Sequence, residues 1–353
     1  MKILAINPGS TSTKIAVYED KESLFESTIR HSVNELSAYT CVSDQFEFRK
    51  SLVMDELKRN NVPFLFDAII GRGGLIKPIP SGVYEVNDAL KNDLIHAQRE
   101  HASNLGGLIA LELASELPGC KAFIADPVVV DELADVARIS GSPLLPRISI
   151  FHALNQKAIA RRYAKECGRK YEDLNLVVCH LGGGISVAAH KQGKVIDVNN
   201  ALDGEGPISP ERAGTLPAAQ LVNLCFSGEY SKDELLKMIT GRAGIAAHLG
   251  TTDMIAILKS IENGDKQAEL IFNAMIYNVA KAVGSMAAIL CGKVDAILFT
   301  GGIAYSEHII SCLKEYISFL APVHVYPGED ELGALATNAL GALTGELPVL
   351  SYC

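Results

Sequence analysis

The sequence predicts an α/β fold built from two related halves, and three observations carry that expectation. Apolar runs at 3–7, 14–18, 67–70, 122–125, 176–180, 186–190 and 296–300 are rich in Ile, Val, Leu or Phe and closed by Gly, Asp or Thr, as strands are. Helical segments at 104–117, 153–167 and 266–291 lie between them, the first stopped by Pro118-Gly119 and the others by Gly168 and Gly292. Such alternation predicts mixed, largely parallel sheets covered by helices. The third observation is a repeat: "KILAINPGSTSTKIAVYED" and "LVVCHLGGGISVAAH" each run an apolar strand through a tight small-residue turn into a second apolar strand, half a chain apart.

A chain of 353 residues exceeds what one core usually organises. The boundary is expected between Ala125 and Arg138, where "DPVVVDELADVAR" follows a finished strand. This gives a first domain over 1–130, with the Ala-rich closing segment 334–353 packing back on it, and a second domain over 131–333.

Composition narrows the function. With 48% apolar and 21% charged residues the chain reads as a globular enzyme or binding protein. Its net charge of -9 argues against nucleic acid or anionic membrane as partner. The segment "LIFNAMIYNVAKAVGSMAAILC" is interrupted by Asn273, Asn278 and Lys281 and reads as a buried core helix, not a membrane span. Eight cysteines without a Cys-x-x-Cys pair, and a start that reaches Pro8 and Gly9 before any signal-like stretch, fit a reducing cytoplasm.

The first turn, with Asn7, Gly9, Ser10, Thr11, Ser12 and Thr13 followed by Lys14, offers backbone N–H groups and hydroxyls that suit phosphate oxygens, although such residues also build ordinary hairpins. The second, Gly182-Gly183-Gly184, removes three side chains in succession, more than a hairpin needs. A third cluster, Gly301-Gly302, ends a strand, where α/β folds hold ligands. No Walker pattern and no G-x-G-x-x-G follows any strand. Arg72 in "IIGRGGL" and Arg212 in "EGPISPERAGTLP" sit in stiff loops that position side chains, while His180, His152 and Asp126 stand at strand or helix ends. Glu329, Asp330 and Glu331 precede the last helix, where they favour its N-terminus or hold Mg²⁺.

Two phosphate-cradling hairpins from duplicated halves resemble the acetate and sugar kinase, heat-shock chaperone and actin superfamily. Within it "NPGSTSTKI", "GRGGLIKPIPSGVYEVN", "HLGGGISVAAH", "DVNNALDGEGPISPERAGTLP" and "TGGIA" follow, in order and across essentially the whole chain, the pattern of the acetokinase family, most closely its butyrate kinases. The resemblance implies two duplicated actin-like, ribonuclease H-like ATPase domains with an interdomain nucleotide cleft, and reversible transfer of the γ-phosphoryl group of ATP to a short-chain carboxylate. It implies ATP/ADP as cosubstrate, Mg²⁺, and a homodimer or higher homo-oligomer. By the same resemblance Arg72 would hold the substrate carboxylate, and Asp126 matches the catalytic Asp. His152 and Arg212 match residues that stabilise the transferring group. Asn7, Ser10, Ser12 and Lys14, with His180, Gly182, Gly183 and Gly184, would hold metal and phosphates; Asp253, Gly301 and Gly302 would border the nucleoside. Asn7 and either Glu329 or Glu331 would serve the metal. Gly183 in place of the acetate enzymes' Asn, Asp253-Met254-Ile255 without their Arg, and the "SPERAG" loop set the chain apart from acetate and propionate kinases. A non-transferring ATPase of the chaperone or actin class would share both hairpins, but should carry a peptide-binding domain or polymerising insertions.

Overall fold

The computed structural model describes residues 1–97 and 99–353, and the chain divides into two compact units, Met1–Val130 with Asp330–Cys353, and Asp131–Glu329. In the first unit, strands β1 (Lys2–Pro8), β2 (Ser12–Glu19), β3 (Glu22–Arg30), β4 (Ala68–Arg72), β5 (Val83–Glu85), β6 (Lys121–Ala125) and β12 (Val349–Leu350) form one sheet in the order β12-β5-β6-β4-β1-β2-β3. In the second, β7 (Asn175–Leu181), β8 (Ile185–Lys191), β9 (Lys194–Val198), β10 (Ala296–Gly301) and β11 (Val323–Pro327) are ordered β11-β10-β7-β8-β9.

The duplication expected from two hairpins extends to five strands. β6, β4 and β1 are parallel and β1 continues antiparallel through β2 to β3; β11, β10 and β7 are parallel and β7 continues antiparallel through β8 to β9. Parallel pairing is therefore less dominant than expected. Each half carries a three-stranded meander whose outer strand, such as "ESLFESTIR" in β3, alternates polar and apolar residues and lacks a continuous apolar run.

Alternation of side chains across a strand explains how each sheet is covered. In the second unit Val177, Cys179, Ile297 and Phe299 face the helix Lys266–Ile289, which contributes Phe272, Met275, Val279 and Val283 to the same core. That helix is long and apolar enough to cross a membrane by composition, but this buried stripe makes it a core helix, as expected. Leu176, Val178 and Leu298 point the other way, toward Ala160 and Tyr163 of the helix Ala153–Glu166. In the first unit Leu4, Ile6 and Ile69 pack with Leu105 and Ile109 of the helix Asn104–Ser115, and with Val53 and Leu57 of the helix Phe46–Arg59. The helix Glu331–Thr344 returns to this unit and packs on β1 and β4.

Candidate active site

The parallel strands of each unit end on one edge, so residues just past them converge although they are far apart in sequence. In the first unit Asn7, Ser12, Lys14, Arg72 and Glu331 line a cavity of about 220 Å³ together with Pro8, Gly9 and His101. Glu331, delivered by the first turn of the last helix, is ion-paired with Arg72 and accepts a hydrogen bond from the Asn7 amide. Asp126 follows Ala125, the cross-strand partner of Arg72. It is buried with φ of 38°, a left-handed conformation that a non-glycine residue adopts only when its surroundings impose it. Its Oδ1 accepts from the Ser81 hydroxyl at 2.6 Å and the Gly82 N–H at 2.9 Å.

The turn after β1 has a support that sequence reasoning missed. Arg49, 1% exposed, rises from the helix Phe46–Arg59 beneath the turn and donates to the carbonyls of Gly9 (2.9 Å), Ser12 (3.2 Å) and Ser10 (3.4 Å) and to Thr13 Oγ1 (3.1 Å). With its carbonyls drawn inward, the turn leaves the exposed Ser10 at its tip. Thr13 Oγ1 also bonds His31 Nε2 at 2.9 Å, and burial, reinforced by Arg49, pushes the His31 pKa below the usual imidazole range.

In the second unit His180 stands near the end of β7 and Gly182, Gly183 and Gly184 follow it, and the loop carrying Arg212 packs directly on this turn. The Gly183 carbonyl accepts from the Ser209 hydroxyl at 2.7 Å and the Glu211 N–H at 3.1 Å. Arg212 donates to the Ala201 carbonyl at 2.8 Å, and its guanidinium lies where a Cβ on Gly184 would meet it at 3.3 Å. His152 and His180 stack with ring centroids 3.8 Å apart and planes 12° from parallel. His180 Nδ1 meets Asn155 Oδ1 at 2.9 Å, and its Nε2 lies 3.0 Å from Glu329. The segment 197–205 ahead of the Arg212 loop is clamped by Arg147, another residue the sequence did not announce, through Asp197, Glu205 and the Val198 carbonyl.

Gly301, at φ of 91°, exchanges backbone hydrogen bonds with Gly328, and any side chain there would collide with the Leu181 backbone. Gly302 lines a second cavity of about 610 Å³, walled mainly by Met254, Ile255, Leu258, Ile303 and Tyr305. Asp253 is exposed and caps the helix Met254–Glu262, accepting from the Ile255 and Ala256 N–H groups. Glu329 and Glu331, inseparable in the sequence, have different neighbours: His180 for the former, Asn7 and Arg72 for the latter.

Oxygen donors from Asn7 and Glu331 in one cavity suit a hard divalent cation, which needs only one or two carboxylates when phosphates complete its shell. The Gly182–Gly184 turn, bare of Cβ atoms, suits close approach of polyphosphate.

Comparison with known proteins follows the same direction. Residues 145–324 match the model of the acetokinase family. A "Probable butyrate kinase" of Bacteroides thetaiotaomicron is 71% identical over 352 residues, covering 100% of both chains, and "Butyrate kinase 2" of Clostridium acetobutylicum is 55% identical, covering 99% of both. Among solved structures, Porphyromonas gingivalis acetate kinase superposes with a TM-score of 0.79 at 20% identity, covering 97% of this chain and 99% of its own. A propionate kinase from Francisella tularensis gives 0.76 at 19%, covering 96% and 98%. The shared architecture is the two-domain actin-like ATPase fold expected from the sequence. With likeness extending over its whole length, the chain belongs to the acetokinase family.

Proposed function

We propose that the chain transfers the γ-phosphoryl group of ATP to the carboxylate of butyrate, giving ADP and butanoyl phosphate, and that it runs this reaction in either direction. Membership of the acetokinase family makes it a carboxyl-group phosphotransferase with ATP/ADP as cosubstrate. Whole-chain identity to butyrate kinases narrows the acceptor to short-chain fatty acids, butyrate first.

The chemistry follows from charge. A carboxylate with a pKa near 4–5 is already an anionic nucleophile at neutral pH, so the obstacle is repulsion from the triphosphate and not lack of a base. The acyl oxygen attacks the γ-phosphorus as the bond to the β,γ-bridging oxygen breaks and ADP carries off the negative charge. Arg212, His152 and His180 would meet the oxygens of the transferring group, the Gly182–Gly184 turn and the turn at Asn7–Lys14 would cradle phosphates, and Arg72 would hold the attacking carboxylate. Asp126 would orient its neighbours; both donors to its Oδ1 support an ordering role over proton acceptance. Mg²⁺ would be held by Glu331 and Asn7 and would neutralise phosphate charge. The apolar cavity beside Gly302 would take the nucleoside, with Asp253 fixing the helix that walls it.

The observation that carries this reading is the Arg212 guanidinium packed against the triple-glycine turn beside the stacked His152–His180 pair. A panel of C2–C5 acids with ATP, Mg²⁺ and hydroxylamine tests it: butyryl hydroxamate should dominate, an acetyl-dominated yield would reassign the acceptor, and no hydroxamate with any acid would refute the reading. The same reading makes the enzyme a cytoplasmic homodimer without nucleic-acid or membrane partners. The eight cysteines, none disulfide-bonded among the described residues, suit a reducing compartment, and light scattering checks the assembly.

A further inference from the structure

A buried hydrogen-bond chain runs from the interior of the second unit to His152, and its polarity can be worked out link by link. The Gln156 side-chain nitrogen lies 3.1 Å from the Ser186 backbone carbonyl and 2.8 Å from the Ser186 hydroxyl. A carbonyl only accepts, so the amide presents its NH₂ to Ser186 and its oxygen to the other side. There Gln156 Oε1 meets His190 Nε2 at 3.0 Å, which requires the proton on that nitrogen. His190 Nδ1, left bare, accepts from the Tyr171 hydroxyl at 2.6 Å. Burial, with Lys157 and Arg161 nearby, pushes the His190 pKa well down and keeps this ring neutral. Gln156, Ser186 and His190 are each 0% exposed, so water does not offer these links an alternative.

At the other end the Ser186 hydroxyl has two partners among the described residues, Gln156 and His152 Nδ1, the latter at 2.9 Å. Since it accepts from Gln156, its own proton goes to His152 Nδ1. A protonated Nδ1 on His152 would instead leave a wholly buried hydroxyl without an acceptor.

We propose that Gln156 and Ser186, backed by His190 and Tyr171, are positioning residues that fix His152 as the Nε2–H tautomer, so that it offers the phosphoryl group a directed hydrogen-bond donor and not a base. The catalytic consequence rests on the kinase reading above; the tautomer itself does not. The fixed ring would then hold its orientation against His180 and present its donor beside the Arg212 guanidinium.

Long-range ¹H–¹⁵N correlation of histidine-labelled enzyme reads the tautomer directly, with the His152 signals assigned by their loss in His152→Gln. The expected result is Nε2–H in the unsubstituted enzyme. Gln156→Glu keeps the shape but replaces the donor to Ser186 by an acceptor, so the hydroxyl turns toward it and His152 should move to Nδ1–H. Its kcat should fall by about 10–100-fold, with KM for ATP and butyrate within about threefold. Ser186→Ala, a one-oxygen deletion, should give a mixture of tautomers and a kcat loss of about tenfold, and it carries the test if the first variant fails to fold. An Nδ1–H ring in the unsubstituted enzyme, or an unmoved tautomer and kcat in the folded variants, would overturn the proposal. Failure of the unsubstituted enzyme to make any acyl phosphate would refute the kinase reading while leaving the tautomer result standing.

Discussion

The two hairpin turns occupy equivalent places in duplicated sheets, yet they are held by opposite means. The turn at Asn7–Ser12 keeps its side chains and is pinned from below, where a single buried guanidinium gathers three carbonyls. The turn at Gly182–Gly184 discards its side chains and is pinned from the flank, where Ser209 and the Glu211 N–H hold the Gly183 carbonyl and Arg212 packs on Gly184. In the second case the supporting loop also brings a cation to the turn's surface; in the first, the supporting cation is buried and the surface charge comes from Lys14 and Arg72. The difference teaches that support and surface charge come from separate residues in the first half and from one loop in the second.

Removing Arg212 should therefore break the molecule's activity more than any change around the first turn. Arg212→Lys is expected to lower kcat by roughly 10³-fold or more, as loss of a phosphate-stabilising guanidinium does; a mild effect in the hydroxamate assay would make Arg212 a prop for the turn alone. Next comes the acid pair. Glu331→Gln should cut activity about 10²-fold at limiting Mg²⁺ and be partly rescued by excess metal, whereas Glu329→Gln should leave the metal titration in place; the reverse outcome would move the metal to the second half.

Arg49→Met should act on stability before chemistry, because it removes the guanidinium bonds that gather the half-buried turn and one to the buried Thr13 hydroxyl. A loss of about 2–4 kcal/mol in a urea melt and an ATP KM raised about tenfold are expected. The glycines sharpen the comparison further. A Cβ at Gly183 would come within 3.0–3.1 Å of the Glu211 carboxyl group, whereas at Gly9 it would meet the Ser12 carbonyl at an ordinary 3.5 Å. Gly183→Ala should raise the ATP KM several-fold and Gly9→Ala should be nearly silent; equal effects would erase the distinction between the turns. The effect of pH falls on stability and not on the distinction between the turns. His31 and His190 have folded-state pKa values below the ordinary 6.5, so the unfolded chain takes protons that the folded one refuses. Stability is full above about 6.5 and declines as pH falls below it, by at most about 1.4 kcal/mol per pH unit for each ring. His31→Asn should flatten that slope in melts from pH 8 to 5.

Strands with unbroken apolar runs, and residues just beyond their ends, were legible because burial on both faces and the ligand edge of an α/β sheet leave direct marks on sequence. Asn7, Arg72, Asp126, His180 and Gly301 all stand at such ends. Arg49, Arg147 and Gln156 were not legible, since each acts on backbone or side chains distant in the chain and lies in a helix or loop whose local pattern is ordinary. The charged face of "FEFRKSLVMDELKR" hides one arginine that is wholly buried. Likewise "GEDEL" gave no means of dividing its acids. Asp330, capping the last helix through the Gly333 N–H, starts a new element between Glu329 and Glu331 and sends them to different neighbours.

That last helix has a consequence for how the molecule comes into being. The acid that joins Asn7 and Arg72 belongs to the same compact unit as residue 1, yet it leaves the ribosome more than three hundred residues later. Until then a nascent chain has its amino-terminal sheet without the edge strand β12, without the helix on one side and without the carboxylate at its mouth. On the proposed function, phosphoryl transfer would be withheld from every unfinished copy, and a protease that trimmed the tail from a finished one would silence it in a single cut.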